Sequence, residues 1–236
     1  MTDYSFDLGN PEDRYDSGYQ SQEQGFISKV FSWMFMGLLA TGVVAFLVVS
    51  NPIIIKTLYS SPFMMIFLGI GTFALVWNLS ANMHKMTPAA ASANFFIYAG
   101  LNGVLLSSIF LVYTAQSIFS TFCVAAVTFG VTALYGATTK KDLTKLGSLL
   151  VMALFGLIIA SVVNMFFHST GLASLINYAG VLIFVGLTAY DMQAIKKIGQ
   201  SYGYNPNFAV LGALKLYLDF INLFIYLLRI LGDRRR

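Results

Sequence analysis

Residues 86–139 contain no Asp, Glu, Lys or Arg, and neither do residues 146–190. A membrane-spanning helix needs about 20 mainly apolar residues, so each stretch has room for two passes. A chain built this way cannot hide its apolar surface in a water-soluble fold. Only 10% of its residues are charged, against about 25% in an ordinary globular domain. The apolar runs are continuous and do not alternate with period two, which excludes an outer-membrane barrel. The net charge of +4 does not mark a nucleic-acid surface, because the basic residues sit at the ends of apolar runs instead of clustering on a face. The fold class expected is an all-α integral membrane protein.

Residues 1–25 are polar and acidic, carrying Asp3, Asp7, Glu12, Asp13, Asp16 and Glu23, and read as a mobile tail. Residues 26–236 read as a membrane domain with seven spans, at about 29–50, 62–83, 92–114, 117–138, 147–168, 173–197 and 207–231. The breaks carry turn chemistry, among them Asn51-Pro52, Ser61-Pro62, Thr87-Pro88 and Asn205-Pro206. Between spans, Lys85, Lys140, Lys141, Lys145, Lys196 and Lys197 fall on one side and Lys56 alone on the other. That asymmetry places the N-terminus in the cytoplasm. Arg229, Arg234, Arg235 and Arg236 oppose it, so the last segment either crosses fully or re-enters. The first apolar run is too long and too late for a cleavable signal. Cys123, in an apolar run, reads as a small buried hydrophobe. His84 and His168 lack ligand-spaced partners, and no tightly bound cofactor is expected. Recurrent glycines (Gly37, Gly69, Gly71, Gly100, Gly103, Gly130 and Gly136) suit close helix packing in lipid, and Asn78, Asn94, Asn102 and Asn164 are candidates for interhelical hydrogen bonds.

After Glu23 only Asp142, Asp191, Asp219 and Asp233 remain as acids, and two of them fall inside spans. An Asp near the bilayer centre costs about 2.5–3.5 kcal/mol on insertion scales, which makes it a functional candidate. Asp191 and Asp219 are equidistant from residue 205, the turn between the last two spans. In an antiparallel hairpin they therefore lie level, about 21 Å along the helices from that turn. If the two carboxylates meet, they share a proton and titrate as a unit, a proton-operated latch that offers a cation site when deprotonated. Thr188 and Asn222, each one turn away, could add oxygens. Ca²⁺ takes six to eight oxygen ligands, so such a site would be weak and completed by water. The alternative is two separate ion pairs: Lys215 with Asp219 at i,i+4, and Asp191 near Lys196 and Lys197.

Gly186-Leu187-Thr188-Ala189-Tyr190-Asp191-Met192-Gln193 and the run Leu211 to Phe224 around Asp219 resemble the last two helices of the Bax inhibitor family, the transmembrane Bax-inhibitor-motif group. Leu106-Ser107-Ser108-Ile109-Phe110 and Tyr135-Gly136-Ala137-Thr138-Thr139-Lys140-Lys141-Asp142-Leu143 are similar to its middle helices. The likeness covers roughly residues 26–236 and is strongest to bacterial inner-membrane members. It implies seven helices with the last one central and wrapped by the other six. It also implies a pH-sensitive calcium leak in which Asp191 and Asp219 are sensor and gate, with a role in calcium homeostasis. The partners implied are calcium ions, protons and membrane lipid. The family pairs its first acid with an arginine near the second helix. This chain has no arginine between Arg14 and Arg229, and Lys85 and His84 are the nearest substitutes.

Three other functions are prompted by the same residues. A non-transporting regulator that docks on another membrane protein would use the acids to keep its shape. An intramembrane aspartyl protease would use them as a catalytic pair, but glycines expected before the second Asp are replaced by Leu216-Tyr217-Leu218. A retinal protein is suggested by Lys215, but the third span has no acid to serve as counter-ion.

Overall fold

The computed structural model describes residues 11–82, 85–202 and 204–235. Among them are eight helices: α1 (Pro11–Val49), α2 (Pro52–Tyr59), α3 (Pro62–Asn82), α4 (Pro88–Val112), α5 (Ala115–Thr138), α6 (Thr144–Phe167), α7 (Thr170–Ser201) and α8 (Pro206–Leu231). All except α2 are long and apolar enough to cross a membrane. The seven spans expected from sequence are all present. Several begin a few residues early because their polar caps belong to them. Thr87, Thr114, Ser169 and Asn205 each accept a hydrogen bond from an otherwise orphaned backbone N–H at a helix start. Asn51 does the same for α2, a short helix with no buried residue in the connection between the first two spans, which reads as a turn from sequence.

The exposed surface is a belt of large apolar side chains, including Phe63, Phe67, Phe166 and Leu182, each more than 70% exposed. In water such a belt would aggregate; in a bilayer it is the lipid-facing side. Cys123 belongs to this face and is exposed, contrary to the buried position expected. In a membrane protein an apolar run can face lipid as readily as core.

Helix α8 is the most buried of the spans. It packs chiefly on α1, α4, α5 and α7, while α3 lies on α4 and α2, and α6 on α7. Fully buried Tyr217 anchors α8 against α1 and α4. Its hydroxyl lies 2.7 Å from Thr41 Oγ1 on α1 and accepts from Asn102 Nδ2 on α4 at 3.2 Å, and its ring packs edge-on to Phe95 and Tyr98. Of the glycines read as packing sites, Gly37, Gly103 and Gly136 lie against neighbouring helices, while Gly69, Gly71, Gly100 and Gly130 face open space.

The two chain ends bear on the sequence reading in different ways. The polar segment read as a tail is helical from Pro11 onward, continuous with the first span; residues 1–10 lie outside the described residues. Its Glu, Gln and Arg residues are good helix formers once a span has nucleated the helix, and Glu23 is tied to Lys196 of α7 at 2.8 Å. At the other end, α8 is one uninterrupted helix, long and apolar enough to cross fully. The residues after it fold back on the α4–α5 turn, where Arg235 N donates to Val112 O and Thr114 N to Asp233 O. The C-terminus thus lies at the α4–α5 end of the bundle.

Candidate functional site

Helices α7 and α8 form the antiparallel hairpin that the turn at Asn205 dictates. Asp191 lies in the last third of α7, and Asp219 lies midway along α8. Both line one open cleft of about 590 Å³, together with Lys215, Asn222, Tyr190 and Tyr226. Its outer walls are Ser80 of α3 and Val151, Leu154 and Ile158 of α6. Val151 and Ile158 are 40% and 50% exposed, so the cleft opens between α3 and α6 onto the lipid-facing surface.

Within the cleft, Lys215 Nζ donates to Asp191 Oδ1 at 3.0 Å. The register explains the reach. Lys215 is four residues closer to the turn than Asp219, about 6 Å of helix rise, which an extended lysine stem covers along the groove. Asp219 is only 4% exposed, and its Oδ2 is buried without a hydrogen-bond partner. Neither separate ion pair weighed from sequence forms. Lys215 bridges to α7 instead of pairing along α8, Lys196 pairs with Glu23, and Lys197 with Asp142.

The supporting residues divide. Asn222 lines the cleft and donates to Leu218 O at 2.8 Å. Thr188 is fully buried and its hydroxyl is spent on Phe184 O of its own helix. Lys85 lies on the turn after α3, exposed and outside the cleft lining, and His84 falls outside the described residues. The basic partner of the first acid is therefore Lys215, from the same helix as the second acid. Of the four asparagines, Asn102 makes the interhelical bond, while Asn78 bonds Asn82, Asn94 meets Met86 Sδ, and Asn164 accepts from Ser169 N.

Electrostatically the arrangement is unbalanced. Two carboxylates share the cleft with one ammonium, and one carboxylate oxygen is left with nothing. An ionised carboxylate buried without a partner is costly in a low-dielectric medium. A proton on Asp219, a cation in the cleft, or a swing of Lys215 toward Asp219 would each relieve it. Among the described residues no group of three or more His, Cys, Asp or Glu converges, so the oxygens lining the cleft for a hard cation come from two carboxylates, the Asn222 amide and the hydroxyls of Ser80, Tyr190 and Tyr226.

The family model described as "Inhibitor of apoptosis-promoting Bax1" matches residues 23–236. The chain belongs to the Bax inhibitor family. It is 45% identical over 217 residues to the inner membrane protein YbhL of Escherichia coli, covering 90% of this chain and 93% of that one. An uncharacterized protein of Borreliella burgdorferi is 47% identical over 214 residues, 89% of this chain and 92% of its own. A Rickettsia prowazekii relative is 39% identical over 219 residues, 89% of this chain and 90% of its own. The Bax inhibitor match begins at residue 23, inside α1 and at the acid that holds Lys196.

Sequence reasoning missed three polar contributors: Gln193, which brackets the α5–α6 loop, and Thr41 and Tyr217 of the central network. Gln193 stood beside Asp191 in the motif, but its partners are loop backbone groups about 50 residues away. No residue spacing announces such a contact.

Proposed function

We propose that this protein is a pH-sensitive calcium leak of a bacterial inner membrane, with its N-terminus in the cytoplasm and Asp191 and Asp219 as sensor and gate. One observation carries the reading: the buried, unpartnered Asp219 carboxylate oxygen beside the Lys215–Asp191 ion pair. With Asp219 protonated, Lys215 belongs to Asp191, and α7 is tied to α8. Deprotonation of Asp219 places a second anion within reach of the same ammonium, since the two residues are one helical turn apart. Lys215 then divides between two carboxylates, the tie to α7 weakens, and a hard cation can enter with water completing its shell. Membrane lipid, protons and Ca²⁺ are the partners in this reading. The Asp191–Lys215 pair disfavours aspartyl protease chemistry, in which both carboxylates must face one catalytic water.

Reconstituted into proteoliposomes, the protein should pass Ca²⁺ at a rate that varies between about pH 5 and 8, and Asp219→Asn should remove that variation. Flux no greater than in empty liposomes across the range would overturn the proposal. The chain would then read as a regulator in which the ion pair only holds two helices together.

A further inference from the structure

A second polar cleft, of about 240 Å³, lies between the α5–α6 loop and the last turns of α7. Lys140, Lys141, Lys196 and Lys197 line it, against a single acid, Asp142. Two of the four ammoniums are committed: Lys196 to Glu23 and the Ala137 carbonyl, and Lys197 to Asp142. Lys140 and Lys141 are exposed and make no ion pair among the described residues, so within those residues the cleft keeps two ammoniums without a carboxylate partner.

The backbone that presents those charges is held in place. Gln193 accepts from Leu143 N at 2.9 Å and donates to Lys141 O at 2.8 Å, clamping the loop on both sides of Asp142. Asp142 Oδ1 in turn accepts from the Thr144 N–H and hydroxyl at the start of α6. A four-residue span of basic loop is thereby pre-organised instead of waving in solvent, which lowers the ordering cost of binding an anion.

The surroundings identify the kind of anion. Leu134, Tyr135, Leu146 and Leu149, on the α5 and α6 turns that flank the loop, are 42–65% exposed and belong to the lipid-facing belt. A ligand whose phosphate lies among the lysines would lay its hydrocarbon along these residues. Basic pockets between spanning helices suit acidic headgroups in just this way. We infer that the Lys140–Lys141 cleft is a binding site for the phosphate headgroup of an anionic membrane phospholipid.

The test uses the full chain, purified and exchanged into nanodiscs of mixed phosphatidylglycerol and phosphatidylcholine, with retained lipid read by native mass spectrometry. Wild type should retain phosphatidylglycerol over phosphatidylcholine. Lys140→Gln/Lys141→Gln should lower that retention roughly 25-fold, at about fivefold per lysine, while Lys56→Gln at the other end of the bundle should not. Equal retention of both lipids by wild type, or an unchanged double variant that still elutes monodisperse, would overturn the assignment. Displacement of the lipid by millimolar inorganic phosphate would also overturn it, because the site would then take soluble phosphate without need of the acyl chains.

Discussion

Lys215 reaches across the hairpin to Asp191, 3.0 Å away, and leaves Asp219, one turn along its own helix, with a buried oxygen that bonds to nothing. The more exposed acid has the partner and the more buried one does not. That inversion of the usual arrangement is what separates this cleft from a structural ion pair, in which burial and pairing go together.

Removing the ammonium should expose the cost. Lys215→Met strands Asp191, and because the lysine is about one-third exposed the loss should be roughly 1–3 kcal/mol, less than for a fully buried pair. Thermal unfolding in nanodiscs would measure it. Adding Asp191→Asn should recover part of the loss, a coupling of about 0.5–3 kcal/mol. Strict additivity of the two changes would contradict the ion pair.

On the proposed leak, the α5–α6 loop should not contribute to pH sensing. The Thr144 hydroxyl, Lys197 and the Thr144 backbone N–H hold the exposed Asp142 carboxyl down at about 2, below its ordinary 3.8. Because this value is depressed on folding, the contacts of Asp142 are fully present above pH 3.8 and are lost only as pH falls through about 2. Asp142→Asn should therefore leave the pH midpoint of Ca²⁺ flux where it is. A moved midpoint would place a sensor outside the α7–α8 cleft.

Much of this was legible beforehand, for reasons that differ from residue to residue. Charge-free runs and Pro-preceded turns mark helices because lipid punishes every unpaired backbone group, so the seven spans could be read directly. Counting to Asn205 put Asp191 and Asp219 on facing stretches of the last two helices, and both line one cleft. The direction of Lys215 could not be counted, because a four-carbon stem can pair along its own helix or across a groove, and only packing decides. The same freedom misassigned Lys85, the nearest base by analogy, which the turn after α3 leaves outside the cleft.

Helix contact near Asp191 depends on Gly136. A Cβ there would overlap the backbone of Ala189 on α7, two residues from the acid. Gly136→Val should push α5 from α7 and cost about 1–3 kcal/mol, seen as a lowered unfolding temperature. Gly130→Val, on the same helix with open space around it, should be close to neutral.

The central hydroxyl network should prove modest in energy. Tyr217→Phe removes the contact with Thr41 and the bond from Asn102 but keeps the ring between Phe95 and Tyr98. Polar contacts between membrane helices average about 0.6 kcal/mol and reach about 1.7, so a loss of roughly 1–2 kcal/mol is expected. Tyr217→Ala should cost several times more, because the ring itself fills the middle of the bundle.

The opening of the acidic cleft between α3 and α6 makes the solvent of the Asp191–Lys215–Asp219 group partly a matter of which bilayer surrounds the protein. In a bilayer, acyl chains would border the exposed lining residues Val151 and Ile158, so lipid length and order would bear on the local polarity of the cleft. A detergent micelle replaces that border with a wetter and looser one. The surroundings of the Lys215–Asp191 pair would thus depend on lipid as well as protein, and two preparations of the same polypeptide could differ there without differing in fold.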